Sequence, residues 1–155
     1  GLAVAPDALL AAYAAALAYP APAAAEQPFA EDAYFTAVRK SVAEQATALG
    51  AGVTLKQTHT PAGIIAAMRA VSGQGAYVVA VIERKDTFTE KTANALTPPK
   101  AFTILSGKTV VDKTAVLRAY EFVVVHIPAS GKATVVAAIA NDPIPRPTNI
   151  RAMTL

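Results

Sequence analysis

The stretch Thr114–Ile127 constrains the fold more than any other part of the chain. Leu117, Ala119, Val123, Val125 and Ile127 fall on one side of it; Arg118, Tyr120, Phe122, Val124 and His126 fall on the other. A period of two is a strand's period. Its C-terminal half is apolar on both sides, so that end is expected to lie centrally in a sheet. Pro128-Ala-Ser-Gly131 then reads as a turn. Lys132–Ala140 fits a return strand through Thr134-Val-Val, or a short helix over 133–140 capped by Ser130. The strand is favoured because a Gly-containing turn directly precedes it.

Further strands are expected at Val53–Thr58, which alternates, and at Ala76–Ile82, whose compact apolar run reads as a strand buried on both faces. Ala101–Leu105 is a shorter candidate, ending at Ser106-Gly107. The clearest helix is Glu31–Leu49, with Phe35, Val38, Val42, Ala46 and Leu49 at helical spacing and Tyr34 beside them. Gly50 and Gly52 stop it, and Arg39, Lys40, Glu44 and Gln45 mark its wet face. Thr60-Pro61 reads as the cap and first position of a second helix, with a stripe of Ile64, Ile65, Met68 and Val71 and a stop at Gly73. Ahead of both, Pro6-Asp7 opens an Ala-rich helix over Ala8–Tyr19 with Leu10, Tyr13 and Leu17 on one stripe. Pro20, Pro22 and Pro28 make the following segment extended.

These elements predict an α+β fold: a mixed or antiparallel sheet of about four strands on two main helices. An extra Ala-rich N-terminal helix and a Pro-rich extended tail flank it. Residues 1–30 read as helix and linker, 31–140 as one domain with a long arm at 83–113, and 141–155 as the tail, with Pro at 143, 145 and 147. The chain of 155 residues is long enough for one core, and 54% apolar residues are too many for a disordered protein.

The absence of Cys excludes a disulfide scaffold, a thiolate metal site and a Cys nucleophile. Residues 8–25 resemble the apolar part of a signal peptide, but no basic region precedes them, and Asp7, Pro20 and Pro22 interrupt the pattern. Ala5 stands where N-myristoylation needs Ser or Thr. No membrane span is expected, and a virion or cytoplasmic location is favoured over a periplasmic or secreted one. The net charge of +3 divides unevenly: residues 1–50 carry five acids against two bases, and the rest is basic without any Lys/Arg run. Nucleic-acid footprints concentrate charge, so no specific nucleic acid is expected as a partner.

Catalytic motifs are weak. Gly107-Lys108-Thr109 resembles the end of a phosphate-binding loop, but Phe102 stands where that loop needs Gly. Gly73-Gln74-Gly75 lies between a helix signal and a strand, the reverse of the dinucleotide-binding order. His59 and His126 are the only histidines, too few for a recognisable metal site, and no cofactor is implied. Glu83, Asp86, Glu90 and Glu121 are the carboxylates near the expected sheet. Glu121 with His59 or His126 is the one acid–base pairing an enzyme could use, and a paired, non-catalytic Glu121 is the simpler reading. On that reading Glu121→Gln leaves the fold intact. No catalytic residue is assigned. The residues expected to make contacts are Arg84, Lys85, Phe88, Lys91, Lys100, Phe102, Lys108 and Lys113 of the arm, Glu121, and Ile150, Met153 and Leu155 of the tail.

The order of a leading helix (Asp32–Leu49), a strand, a helix, the buried strand Ala76–Ile82 and the strand Leu117–Val125 resembles that of the small tail-completion or tail-terminator proteins of long-tailed bacteriophages. The resemblance covers about residues 31–127 and carries over no site residues. It implies a structural job: a ring at the end of a tail that stops polymerisation and joins head to tail. The sequence thus points to a structural or interaction subunit of an oligomeric assembly, whose partners are copies of itself and other protein subunits. The alternatives are an envelope module binding a small molecule or lipid, and a small hydrolase-like enzyme.

Overall fold

A computed structural model of the chain describes residues 1–93, 95–98, 100, 103–104, 107–111 and 113–140, without the side chains of Ser72 and Ala140. The elements run α1 (Pro6–Ala16), α2 (Ala33–Leu49), β1 (Val53–Arg69), a 3-10 turn (Val71–Gly73), β2 (Ala76–Glu90), β3 (Thr114–Ile127) and β4 (Thr134–Ala140). The four strands form one antiparallel meander in the order β1-β2-β3-β4. The fold is α+β.

Both helices lie against one face of this sheet. Asp32 starts α2 as its N-cap, accepting a hydrogen bond from the Phe35 backbone N–H at 3.0 Å. The other Asp32 oxygen accepts from the Tyr13 hydroxyl at 2.9 Å, which ties α1 to the start of α2. The stripe Leu10, Tyr13 and Leu17 is buried, together with Leu9 and Ala14. These residues meet Val78, Ala80 and Ile82 of β2 and Val123, Val125 and Ile127 of β3. The N-terminal segment, read from sequence as an extra helix and linker, therefore shares the core of the sheet. Phe29 anchors the end of the linker, with its ring 4.9 Å from Tyr13 and 5.5 Å from Phe35. A second apolar cluster at the other end joins Val42, Val53, Leu55, Phe88, Val111 and Ala115.

The expected helix over Thr60–Gly73 is a correction. The chain is extended there, as the outer half of β1, and only Val71–Gly73 make a helical turn. Three physical facts account for this. β2 is long and needs a ladder partner along its whole length, and a tight connection closed by Ala70 N–H donating to the Gly75 carbonyl supplies the adjacent segment. Gly75 sits at φ +106 against the Ile127 carbonyl, a place where a Cβ would collide. Pro61 is tolerated because β1 is an edge strand: Gln57 points its N–H outward to the Tyr19 carbonyl, and in the same alternation position 61 also faces away from β2. The Ile64, Ile65, Met68 and Val71 stripe is consequently exposed rather than buried.

Two smaller differences follow. Residues 83–90 belong to β2, so the excursion shortens to 91–113. Ala76–Ile82 is central in the sheet, yet only Ala76, Val78, Ala80 and Ile82 are buried; Val79 and Val81 are half-buried and Tyr77 is exposed on the other face. The residues proposed as a strand at 101–105 lie mostly outside those described, and Thr103 and Ile104 are helical. The 132–140 ambiguity resolves as a strand. The tail at 141–155 lies outside the described residues.

Candidate functional site

Between the two apolar clusters, the covered face carries a layer of polar side chains. The inward positions of β1 run Val53, Leu55, Gln57, His59, and those of β2 run Ile82, Arg84, Asp86, Phe88. Cross-strand register sets His59 opposite Arg84 and Gln57 opposite Asp86. Glu121 of β3 stands opposite Ile82, one step further along. Tyr34 reaches the group from α2.

The polar side chains converge on Arg84. Its Nη1 donates to Glu121 Oε1 at 3.3 Å, and its Nε lies 3.3 Å from Asp86 Oδ2. Gln57 Nε2 donates to Asp86 Oδ1 at 2.8 Å. His59 Nε2 lies 3.4 Å from Glu121 Oε2, and both side chains are fully buried, at 0% exposure. Not every atom is served. Both His59 ring nitrogens, Glu121 Oε2, Gln57 Oε1, Arg84 Nε and the Tyr34 hydroxyl are buried without a well-formed hydrogen bond.

The two carboxyls respond oppositely to this environment. Burial pushes the Glu121 carboxyl up, but His59, Tyr34 and Arg84 together outweigh it and hold the pKa below the ordinary glutamate value. Burial also pushes Asp86 up; Arg84, Gln57 and His59 offset only part of that, and its pKa stays raised. The Tyr34 and Tyr13 hydroxyls are pushed up by burial, then by the neighbouring carboxylates Glu121 and Asp32 respectively.

A cleft of about 420 Å³ opens beside this layer, between α2 and the sheet. Tyr34, Val38, Ser41 and Gln45 line it from the helix, and Gln57, Arg84, Asp86 and Leu117 from the strands. Neither His59 nor Glu121 reaches its wall. His126, the other partner considered for Glu121, is on the opposite face of the sheet. There its Nε2 pairs with the Gln74 carbonyl at 2.9 Å and its ring lies 4.8 Å from Tyr77. The pairing of Glu121 with His126 is thereby corrected, whereas Glu121 and His59 do meet. Among the described residues, no group of three His, Asp or Glu side chains is placed to hold a metal ion.

The residues expected to make external contacts scatter. Arg84 and Glu121 belong to the buried layer, and Phe88 to the second apolar cluster, so these three are interior groups rather than surface ones. Lys85 is half-buried on the opposite face of β2. Lys91, Lys100 and Lys113 are exposed and Lys108 is half-buried. Phe102, Ile150, Met153 and Leu155 lie outside the described residues. Sequence reasoning passed over Tyr34 and Gln57 as site residues. The signal for Gln57 was present: it occupies an inward position of an alternating strand, where a polar residue demands a partner.

Among the described residues, no helix lies on the opposite face of the sheet. Register arranges it in rows across the strands: Met68–Tyr77–His126–Thr134, then Ala66–Val79–Val124–Ala137, then Gly63–Val81–Phe122–Ile139. Thr60, Glu83 and Tyr120 form the border, and beyond them Lys85 and Arg118 begin a charged region. Arg118 Nε lies 3.9 Å from Glu83 Oε1, and the Tyr120 hydroxyl donates to Glu83 Oε2 at 3.4 Å. Ile139 is 64% exposed and Met68 59%.

The fold and site define a two-layer α+β protein, helices on one face of an antiparallel meander. Compared with family models, curated proteins and solved structures, the chain matches none. Among the described residues, no helix is long and apolar enough to cross a membrane.

Proposed function

We propose that the protein is a non-catalytic interaction subunit of a larger protein assembly, and that it docks through the open face of its sheet. The observation that carries this reading is the apolar patch on that face, two apolar rows through Val79–Val124 and Val81–Phe122 flanked by exposed Met68, Tyr77 and Ile139, with no helix over it among the described residues. Contiguous exposed apolar surface bordered by polar residues is the mark of a contact site. The buried layer supports the same reading from the other side. Its acid–base pair, Glu121 and His59, is fully buried and does not line the cleft. A place in a virion tail or neck is the narrower form of this proposal. It rests on element order alone, and the helix at Thr60–Gly73 that contributed to that order is a strand.

The test is native mass spectrometry of the protein drawn from its own source, with and without Tyr120→Lys and Ile139→Lys together. A stoichiometric complex that the double variant loses supports the proposal. A chain found alone, or a complex indifferent to these changes, contradicts it.

One observation favours a second reading, a module binding a small molecule. The cleft has the volume of a ligand site, and Gln57 Oε1, on a residue lining it, has no hydrogen-bond partner. Ligand-observed NMR with a fragment set, repeated on Ser41→Trp to fill the mouth, tests it. Hits that vanish in the variant support the reading, and the absence of hits in the parent protein removes it.

A further inference from the structure

β1 is an edge strand, and its outer half is exposed on both faces. Among the described residues its free edge is paired only at Gln57, which exchanges two backbone hydrogen bonds with Tyr19 at 2.9 Å each. Exposed edges are usually blunted by charge or by Pro, because unpaired N–H and C=O groups invite another strand. Lys56, the Tyr19 bridge and Pro61 do this for the inner part. Beyond Pro61 protection by charge and Pro ends, and two register shifts, between Pro61 and Gly63 and between Ile64 and Ala66, are what interrupts the edge. Ala62–Met68 contains no charged residue, and Ile65 and Met68 are each 59% exposed.

We infer that this edge pairs antiparallel with the same edge of a second copy, joining two four-stranded sheets across a two-fold axis. The inference rests on the interaction reading and names one partner for it. Charge makes the segment compatible with itself. A two-fold axis sets each segment against its own reverse, so charges near the axis would meet their like. Here the first charge is Arg69, which an axis near Ile65 places opposite the partner's Pro61 rather than against another Arg. Continuity adds to this. The apolar rows of the open face begin at Met68 and Ala66, so pairing there merges the rows of two copies into one larger surface. β1 has register shifts between Pro61 and Gly63 and between Ile64 and Ala66, leaving Ala66–Arg69 as its regular part. The shared ladder is therefore short, and the dimer weak, with a dissociation constant on the order of 10 µM or above.

The experiment is sedimentation velocity on the full chain from about 1 µM to about 1 mM. The parent protein should pass from monomer to dimer. Ile65→Lys and Met68→Lys should each raise the dissociation constant at least about tenfold, while Ile139→Lys leaves it unchanged. Unaltered urea midpoints show that the lysine variants are folded. Because the chain has no Cys, single Cys substitutions at Ala62, Ile64, Ala66 and Met68 report the register independently. Oxidative cross-linking should peak at one position and fall on either side. A monomer throughout the range, or a dimer that Ile139→Lys breaks and Met68→Lys does not, overturns the inference. A monomer leaves the interaction reading standing, since that is decided by the native complex and its response to the open-face variants.

Discussion

The two faces of the sheet are built from the same strands with opposite side chains, and they differ in what their polar groups do. On the covered face, polar residues sit between two apolar clusters and find one another: Gln57 with Asp86, Arg84 with Glu121, Glu121 with His59. On the open face, polar residues lie at the two ends, Lys85, Arg118 and Glu83 at one and His126 and Thr134 at the other, and leave the apolar rows between them contiguous. The first arrangement ties the inward side chains of β1, β2 and β3 to one another beneath the helices. The second leaves apolar area uncovered among the described residues, the surface proposed to meet another chain.

The sharpest way to break the comparison is at Glu121. Glu121→Gln removes a charge that faces Arg84 and His59 in the interior, and breaking a buried pair by removing one partner costs about 3–5 kcal/mol. The sequence-based expectation that this change would leave the fold unaffected is thereby revised, and urea unfolding at neutral pH reads the loss. Leu17→Ala, at the fully buried end of the α1 stripe, should cost about 2–5 kcal/mol by the same measurement. Asp32→Ala removes the α2 cap and strands the Tyr13 hydroxyl, for about 1–2 kcal/mol.

The carboxyls of the buried layer sharpen the comparison through pH. Glu121 is held below its ordinary value of 4.5, so its contribution is present above that pH and is lost as pH falls through its folded value. Asp86 is raised above 3.8, so its ionised form is disfavoured on folding, and that penalty is relieved as pH falls through its folded value. Asp86→Asn keeps an acceptor for Gln57 and should change stability at pH 7 by no more than about 1 kcal/mol. Urea midpoints between pH 7 and pH 3 should show the Asp86 relief vanish in this variant while the acid loss from Glu121 persists.

Much of this was legible in the residues. The alternation of Thr114–Ile127 gave both the element and the side each residue faces, because one face of a strand must be buried and the other need not be. The stripe Leu10, Tyr13 and Leu17 was read correctly as a packing face. The outer half of β1 was not legible. Ile64, Ile65, Met68 and Val71 match helical spacing, and Thr60-Pro61 matches a helix start. What decided the outcome was the long-range demand of β2 for a ladder partner, which no local pattern contains. The site was half legible. Glu121 and Asp86 stood out as carboxylates near the sheet, but their convergence on Arg84 depends on a register set by the β1–β2 connection.

The smallest effect tests the central claim most directly, which is that the open apolar rows serve a partner and not the fold of the single chain. Tyr77→Thr and Ile139→Thr combined, in dilute protein where only monomer is present, should shift the unfolding free energy by less than about 1 kcal/mol in urea. A loss of about 3 kcal/mol or more would mean that these rows are already buried by the chain itself, and would contradict the account.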